Sequence, residues 1–324
     1  MPRVLVTGAG GQIGSDLVRL LRARHGRDAV LATDLRPLLH TGGPADVLDV
    51  RDPDGLPRLV ERHNIDTVYH LASLLSATGE QQPHLAWDVN MNGLRHVLEA
   101  AREHGLQVFW PSSIAAFGPT TPRDATPQTT VLEPTTMYGL TKVSGELLCQ
   151  YYAYKFGVDV RSVRYPGLIS SGAPPGGGTT DYAVDVFRAA VRGIPYTCFV
   201  GPDTVLPMMY MPDALRGTLA LMDAPAEAIT VRTSYNFTAL SFSAADLAAA
   251  IRVYVPDFEV TYAPDFRQQI ADTWPRSVDD ALARTDWGWT PEYDLDGMVR
   301  DMLARLSPRL HAFRSSKGEM RSEK

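Results

Sequence analysis

In "YGLTK", Tyr138 and Lys142 stand four residues apart, so a helix would carry both on one face. A phenol is a weak base, with an ordinary pKa of about 10, but an ammonium one turn away favours the phenolate. A tyrosine so placed can take the proton of a substrate alcohol while the carbinol carbon gives hydride to a nicotinamide ring. The positive ring of NAD+ favours the phenolate further, and Lys142 can hold the nicotinamide ribose. The spacing alone is common. It gains force from "WPSSIAAFG", where Ser113 can hydrogen-bond the same substrate oxygen.

The cofactor signal opens the chain. "VLVTGAGGQIG" sets Gly8, Gly11 and Gly14 three residues apart, after an apolar run and at the mouth of a helical pattern that starts with Gln12 and Ile13. Gly8 allows a tight turn, Gly11 lets the backbone approach a pyrophosphate, and Gly14 permits close packing of helix on sheet. The helix N-terminus then offers unpaired amides to the phosphates. Asp34 follows Gly14 by 20 residues; a carboxylate there accepts both ribose hydroxyls and repels a 2′-phosphate, favouring NAD over NADP. Arg36 nearby is the opposing signal. Asp49 and Val50, in "VLDVRD", fall where a loop would meet adenine, although Asp49 also reads as a turn residue. Leu71, Ala72 and Tyr165, at the ends of apolar runs, complete the expected cofactor lining.

Elements must hold these groups together. Apolar runs at 3–8, 29–34, 67–72, 108–113 and 159–167 read as buried parallel strands. Segments 13–26 and 86–105 show helical periodicity and end at Gly26 and Gly105. Alternating strands and helices imply an α/β, doubly wound parallel sheet of the Rossmann type. Residues 1–170 form the expected cofactor domain, with 206–233 rejoining it. Segments 171–205 and 234–310 form a smaller mixed α/β substrate lobe, and 311–324 a polar, mobile tail.

The bulk numbers set the class. Hydrophobic residues make up 44% and charged residues 21%, with a net charge of -6 and a pI near 5.8. Nothing in such a balance suggests a nucleic-acid partner, and no apolar run reaches the roughly 18 residues of a membrane span. The N-terminus enters a strand at once, which leaves no signal or transit peptide. Cys149 and Cys198 are too far apart for a disulfide framework or a metal knuckle. The expected compartment is the cytoplasm, and no metal is expected. Met208, Met209 and Met211 read as packing, as does Cys149, and His70 as core or cofactor lining.

Longer motifs narrow the class. The glycine loop, serine strand and "YGLTK", in that order, resemble the extended short-chain dehydrogenase/reductase superfamily. "LASLLSATGEQQPHLAWDVNMNG", "WPSSIAAFGPTTP", "YPGLIS", "PPGGGTTDYAV", "LPMMYMPDA" and "DFRQQIADTWPRSVDD" resemble the short-chain L-threonine 3-dehydrogenases, relatives of UDP-galactose 4-epimerase. The resemblance runs from Arg3 to about Leu306. It implies NAD-dependent oxidation of L-threonine at C3 to L-2-amino-3-ketobutyrate, with Tyr138 as base assisted by Ser113 and Lys142. It also implies substrate contacts from Ser76, Thr179 and Asp181, and a homodimer packed through the Tyr138 helix and the helix near 91–104. Gly10 stands where relatives more often have serine.

The substrate's chemistry fits those positions. Threonine needs donors for its carboxylate, an acceptor for its ammonium and a base at its alcohol. Ser76 and Thr179 can donate. Asp181 can meet the ammonium, and can equally cap the helix of "YAVDVFRAAVRG". Pro174 and Pro175 stiffen the approach to Gly176–Gly178, which read as a flexible clasp. Asn90 reads either as a support of the active-site helix or as packing, and Trp274 as pocket wall or core. Two rivals remain: a nucleotide-sugar epimerase or dehydratase, and a non-catalytic NAD sensor. "RYPG" where many epimerases have "RYFN" weighs against the first, and intact Tyr138 and Lys142 against the second.

Overall fold

The computed structural model describes residues 2–39, 42–172 and 176–307. Pro174, Pro175 and the expected tail at 311–324 lie outside the described residues. Strands β1 (Val4–Thr7), β2 (Val30–Asp34) and β4 (Thr67–His70) are buried along almost their whole length, as strands covered on both faces must be. With β3 (Ala45–Val47), β5 (Gln107–Phe109) and β7 (Val160–Arg161) they form a parallel sheet in the order β3-β2-β1-β4-β5-β7. Chain order reverses between β1 and β4, the crevice where such sheets bind ligands at their carboxyl edge.

The runs expected as single strands at 108–113 and 159–167 are each broken. Pro111 has no N–H to give to a ladder, and Trp110–Pro111 separates β5 from β6 (Ser112–Ser113). Ser162 separates β7 from β8 (Val163–Tyr165), and Pro166 separates β8 from β9 (Gly167–Ile169). After these bends β8 lies between β6 and β12 (Tyr235–Asn236), while β11 (Val205–Tyr210) lies between β9 and β13 (Leu240–Ser243). A final pair joins β10 (Tyr196–Cys198) to β14 (Val260–Tyr262).

Helices cover both faces. α1 (Gln12–His25) and α8 (Met211–Asp223) pack Leu17, Leu21, Ala214 and Leu221 on one side of the large sheet. α2 (Gly55–His63), α5 (Gly93–His104) and α6 (Met137–Phe156) pack Leu59, Leu94, Leu98 and Cys149 on the other. Short α3 (Ser76–Gln81) and α4 (Pro83–Trp87) precede α5; the run expected as one helix at 86–105 passes through a π-helical turn at Asp88–Asn92. A separate core gathers α7 (Tyr182–Arg192), α9 (Ala244–Arg252), α10 (Phe266–Ala271) and α12 (Leu295–Leu306) around Phe187, Ile251, Ile270 and Met302. Helix α11 (Ala281–Trp287) packs beside β12. Met208, Met209 and Met211 are all buried in these cores.

Candidate active site

At the crevice opens a cavity of about 460 Å3, lined by the glycine loop, the end of β4, the bend after β5, the first turns of α6 and the segment before α7. Two of the three glycines are demanded by the protein's own backbone. Gly8 has φ +65°, and a Cβ there would lie 2.7 Å from the Ala72 amide; one at Gly14 would collide with the Gly8 carbonyl. A Cβ at Gly11 would meet only the Gly8 oxygen, at 3.3 Å. Gly11 is also the N-cap of α1 and offers no side-chain cap, so the first-turn amides are left to an outside acceptor such as a phosphate. These features fit a dinucleotide.

Gly8, Gly11, Gln12, Ile13, Gly14, Leu71, Lys142 and Tyr165 line the cavity; Asp34, Asp49, Val50 and Ala72 do not. Asp34 takes the Gly10 amide at 2.9 Å, which holds its carboxylate beside the loop. A Cβ at Gly10 would already sit 3.2 Å from that carboxylate and 3.0 Å from Leu38, so a serine there would crowd both. Arg51 grips Asp49 with two arms, at 3.0 and 2.6 Å, and that bond holds the Asp49 carboxyl below its usual range. Val50 is buried against Gly93. The Tyr165 hydroxyl bonds Thr218.

Ser113, Tyr138 and Lys142 converge. Thr136 caps α6 by accepting the Gly139 amide at 3.1 Å, and Glu80 of α3 accepts the Met137 amide at 2.5 Å. The helix so anchored sets Tyr138 and Lys142 one turn apart on its inner face. Ser113 lies close enough to Tyr138 to pull its phenol down. Lys142 donates to the Pro111 carbonyl at 2.7 Å, and its ammonium lies 4.7 Å from the Trp110 ring centroid and 5.2 Å from that of Tyr138. Burial pushes the phenol up to about 12, against the pull of Ser113. Burial also pushes Lys142 down to about 7. The expected lowering of the phenol by the ammonium is therefore outweighed, because the enclosure strips water from both ions.

Ser76, Thr179 and Asp181 add polar groups to the cavity wall. Ser76 and Thr179, both buried, face each other with hydroxyl oxygens 3.3 Å apart. Asp181 occupies the N-cap position of α7 but makes no side-chain cap bond. Instead it turns back on the glycines, accepting the amides of Gly177 at 2.8 Å and Gly178 at 2.7 Å. Burial raises its carboxyl above the usual range despite those two bonds. Trp274 is buried and lines the same cavity. It is carried there by the pairing of 123–126 with 276–279, in which Thr126 donates to Ser277 O at 3.0 Å and Asp279 to Thr126 O at 2.9 Å.

Asn90, in the π-helical turn, uses its whole amide. It accepts from Leu74 N at 2.8 Å and Ser73 Oγ at 3.1 Å, and donates to Leu74 O and Thr141 Oγ1 at 3.1 Å each. It thus ties the cavity loop to α6. His70 pairs with Thr7 at 2.8 Å, and burial holds its ring down at about 3, neutral at ordinary pH. Thr78, Leu75 and Glu80 escaped the sequence reading, as did the pair Glu146–Arg164 behind α6. Glu146 alone had a local signal, two turns from Tyr138 on the same stripe; the others are recruited by contacts distant in sequence. Among the described residues, no three His, Cys, Asp or Glu side chains gather as a metal site.

Residues 4–236 match the model of the NAD dependent epimerase/dehydratase family. The chain belongs to that family. Within it, the chain is 57% identical to the GalE-like L-threonine dehydrogenase of Cupriavidus necator in its holo form, over 94% of this chain and 100% of that one, with a TM-score of 0.93. A monomeric L-threonine 3-dehydrogenase from a metagenome is 48% identical over 95% of this chain and 99% of its own, also with a TM-score of 0.93. An uncharacterised epimerase/dehydratase of Staphylococcus saprophyticus is 51% identical over 308 residues, 94% of this chain and 96% of that protein.

Proposed function

We propose that this family member is an NAD-dependent L-threonine 3-dehydrogenase that converts the C3 alcohol of L-threonine to the ketone of L-2-amino-3-ketobutyrate. One observation carries the reading: a single cavity joins the glycine loop, Ser113, Tyr138 and Lys142 to a small clasp of Ser76, Thr179 and Asp181. The backbone amides after Gly11 would hold the cofactor's pyrophosphate, Asp34 its adenine ribose and Lys142 its nicotinamide ribose, with Asp49 and Val50 near adenine and Leu71, Ala72 and Tyr165 as walls. When bound, NAD+ supplies the hydride acceptor.

Ser113 donates a hydrogen bond to the threonine hydroxyl, and Tyr138 takes its proton as general base. Lys142 in its charged form offsets the negative charge that Tyr138 must hold. Ser76 and Thr179 donate to the carboxylate, Asp181 accepts from the ammonium, and Trp274 keeps water from the C3 side. In this reading 1–170 with 206–233 form the cofactor domain, and 171–205 with 234–310 the substrate lobe. The protein acts in the cytoplasm. It pairs as a homodimer through the outer face of α6, where Leu140, Leu147, Tyr151 and Tyr154 are exposed at near-heptad spacing.

The test is NADH formation with L-threonine, L-serine, L-allo-threonine and a UDP-sugar as separate substrates. L-threonine should give the highest kcat/KM. Turnover of the sugar with none of threonine would overthrow the assignment in favour of an epimerase or dehydratase.

A further inference from the structure

Behind the catalytic face of α6 lies a buried ion pair that the reaction described above leaves unused. Glu146 and Arg164 are 1% and 4% exposed. The guanidinium holds the carboxylate with two arms, Nε to Oε1 at 2.9 Å and Nη2 to Oε2 at 2.8 Å, and Ser112 Oγ donates to Oε1 at 2.6 Å. The third arm, Nη1, donates to the Gln128 carbonyl at 3.0 Å and to Asn236 Oδ1 at 2.9 Å. Asn236 in turn donates to the carbonyls of Thr126 and Asp279, at 3.0 Å each.

Such a pair is weak evidence for stability, since desolvation offsets attraction and apolar residues of similar volume commonly serve as well. What it has and an apolar pair lacks is direction. Each partner lies on the cavity wall or next to a segment that forms it. Ser112 precedes Ser113, Arg164 precedes Tyr165, Glu146 lies one turn beyond Lys142, and Thr126 and Asp279 belong to the paired segments that deliver Trp274. We propose that Glu146 and Arg164 are positioning residues that fix the register of Tyr138 and Lys142 against Ser113 and the Trp274 wall, so that turnover depends on the polar pair itself rather than on the volume it fills. The proposal rests on the dehydrogenase reading, and misplacement by about 1 Å can cost on the order of a hundredfold in rate.

The test compares wild type with Ser112→Ala, Arg164→Lys and the apolar double variant Glu146→Met/Arg164→Leu. It reads melting temperature, kcat and KM for threonine, NAD+ affinity, and the fluorine NMR signal of Tyr138 in fluorotyrosine-labelled protein, assigned with Tyr138→Phe. The double variant should melt within a few degrees of wild type, bind NAD+ within about twofold, and lose roughly 10- to 30-fold in kcat. Arg164→Lys, which keeps the charge and loses the fork, should not rescue kcat. Ser112→Ala should lose about 3- to 10-fold in kcat with little change in melting. The Tyr138 resonance should broaden or split in all three. Wild-type kcat in Ser112→Ala, or in a stable double variant, overturns the proposal, and so does an unchanged sharp resonance. Should the double variant fail to fold, Ser112→Ala decides. Should wild type not oxidise threonine, the dehydrogenase reading falls, while the resonance still judges the positioning claim.

Discussion

Lys142 is the residue whose replacement separates stability from activity. Its ammonium is buried and held at about 7 against an ordinary 10.5, chiefly by loss of water. Between those values the unfolded chain keeps a proton that the folded chain releases, so wild-type stability rises with pH across that window. At about 1.4 kcal/mol per unit, the penalty is on the order of several kcal/mol near pH 7 and shrinks to about 1 kcal/mol near pH 9.5. Lys142→Met removes the penalty and keeps the bulk. It also forfeits the bond to Pro111 and the contact with Trp110, together about 2 kcal/mol. The variant should therefore be more stable than wild type by ~2 kcal/mol near pH 7, lose that lead by about pH 9.5, and be inactive at both. Urea unfolding of the two proteins without cofactor, at both pH values, measures the gap. A gap that does not change with pH, or a less stable variant at neutral pH, refutes the reasoning.

Further outcomes follow from the same geometry. Tyr138→Phe should lower kcat by roughly 10²- to 10⁴-fold while isothermal titration shows unchanged NAD+ affinity. Asp181→Asn can keep the two glycine amide bonds but loses the charge, so KM for threonine should rise at least tenfold with KM for NAD+ unchanged. Because burial raises the Asp181 carboxyl, the wild-type KM for threonine should climb on acidification from above the ordinary aspartate range, and the variant's should stay flat. Gly11→Ala should fold with wild-type melting and lose about tenfold or more in NAD+ affinity, whereas Gly14→Ala, whose methyl meets the Gly8 carbonyl, should fail to give soluble protein.

Much of this was legible in the residues because the signals were local. Gly8 and Gly14 are required by contacts within a few positions of themselves or by one neighbouring strand, and Tyr138 and Lys142 share a helix turn. The breaks at Trp110–Pro111 and Ser162 were not read, although Pro111 lacks an amide hydrogen, because β-branched and aromatic neighbours concealed them. The ionisation of Tyr138 was expected from charge alone; burial, a property of the whole fold, reversed its direction. Asp181 shows a different limit. Its N-cap position was visible, but the choice between capping forward and folding back on Gly177 and Gly178 depends on how the loop closes. Arg164 and Asn236 carried no local mark, since their partners lie up to 110 residues away.

The pairing of 123–126 with 276–279 makes the site a late event in the life of each molecule. At roughly 5 to 20 residues per second, a ribosome takes on the order of ten to thirty seconds to travel from Thr126 to Asp279. For most of that interval the glycine loop and Tyr138 have been made, but Trp274 has not. A nascent chain stopped anywhere short of it should be silent in the NADH assay, so premature termination yields inert protein rather than an unguarded oxidant.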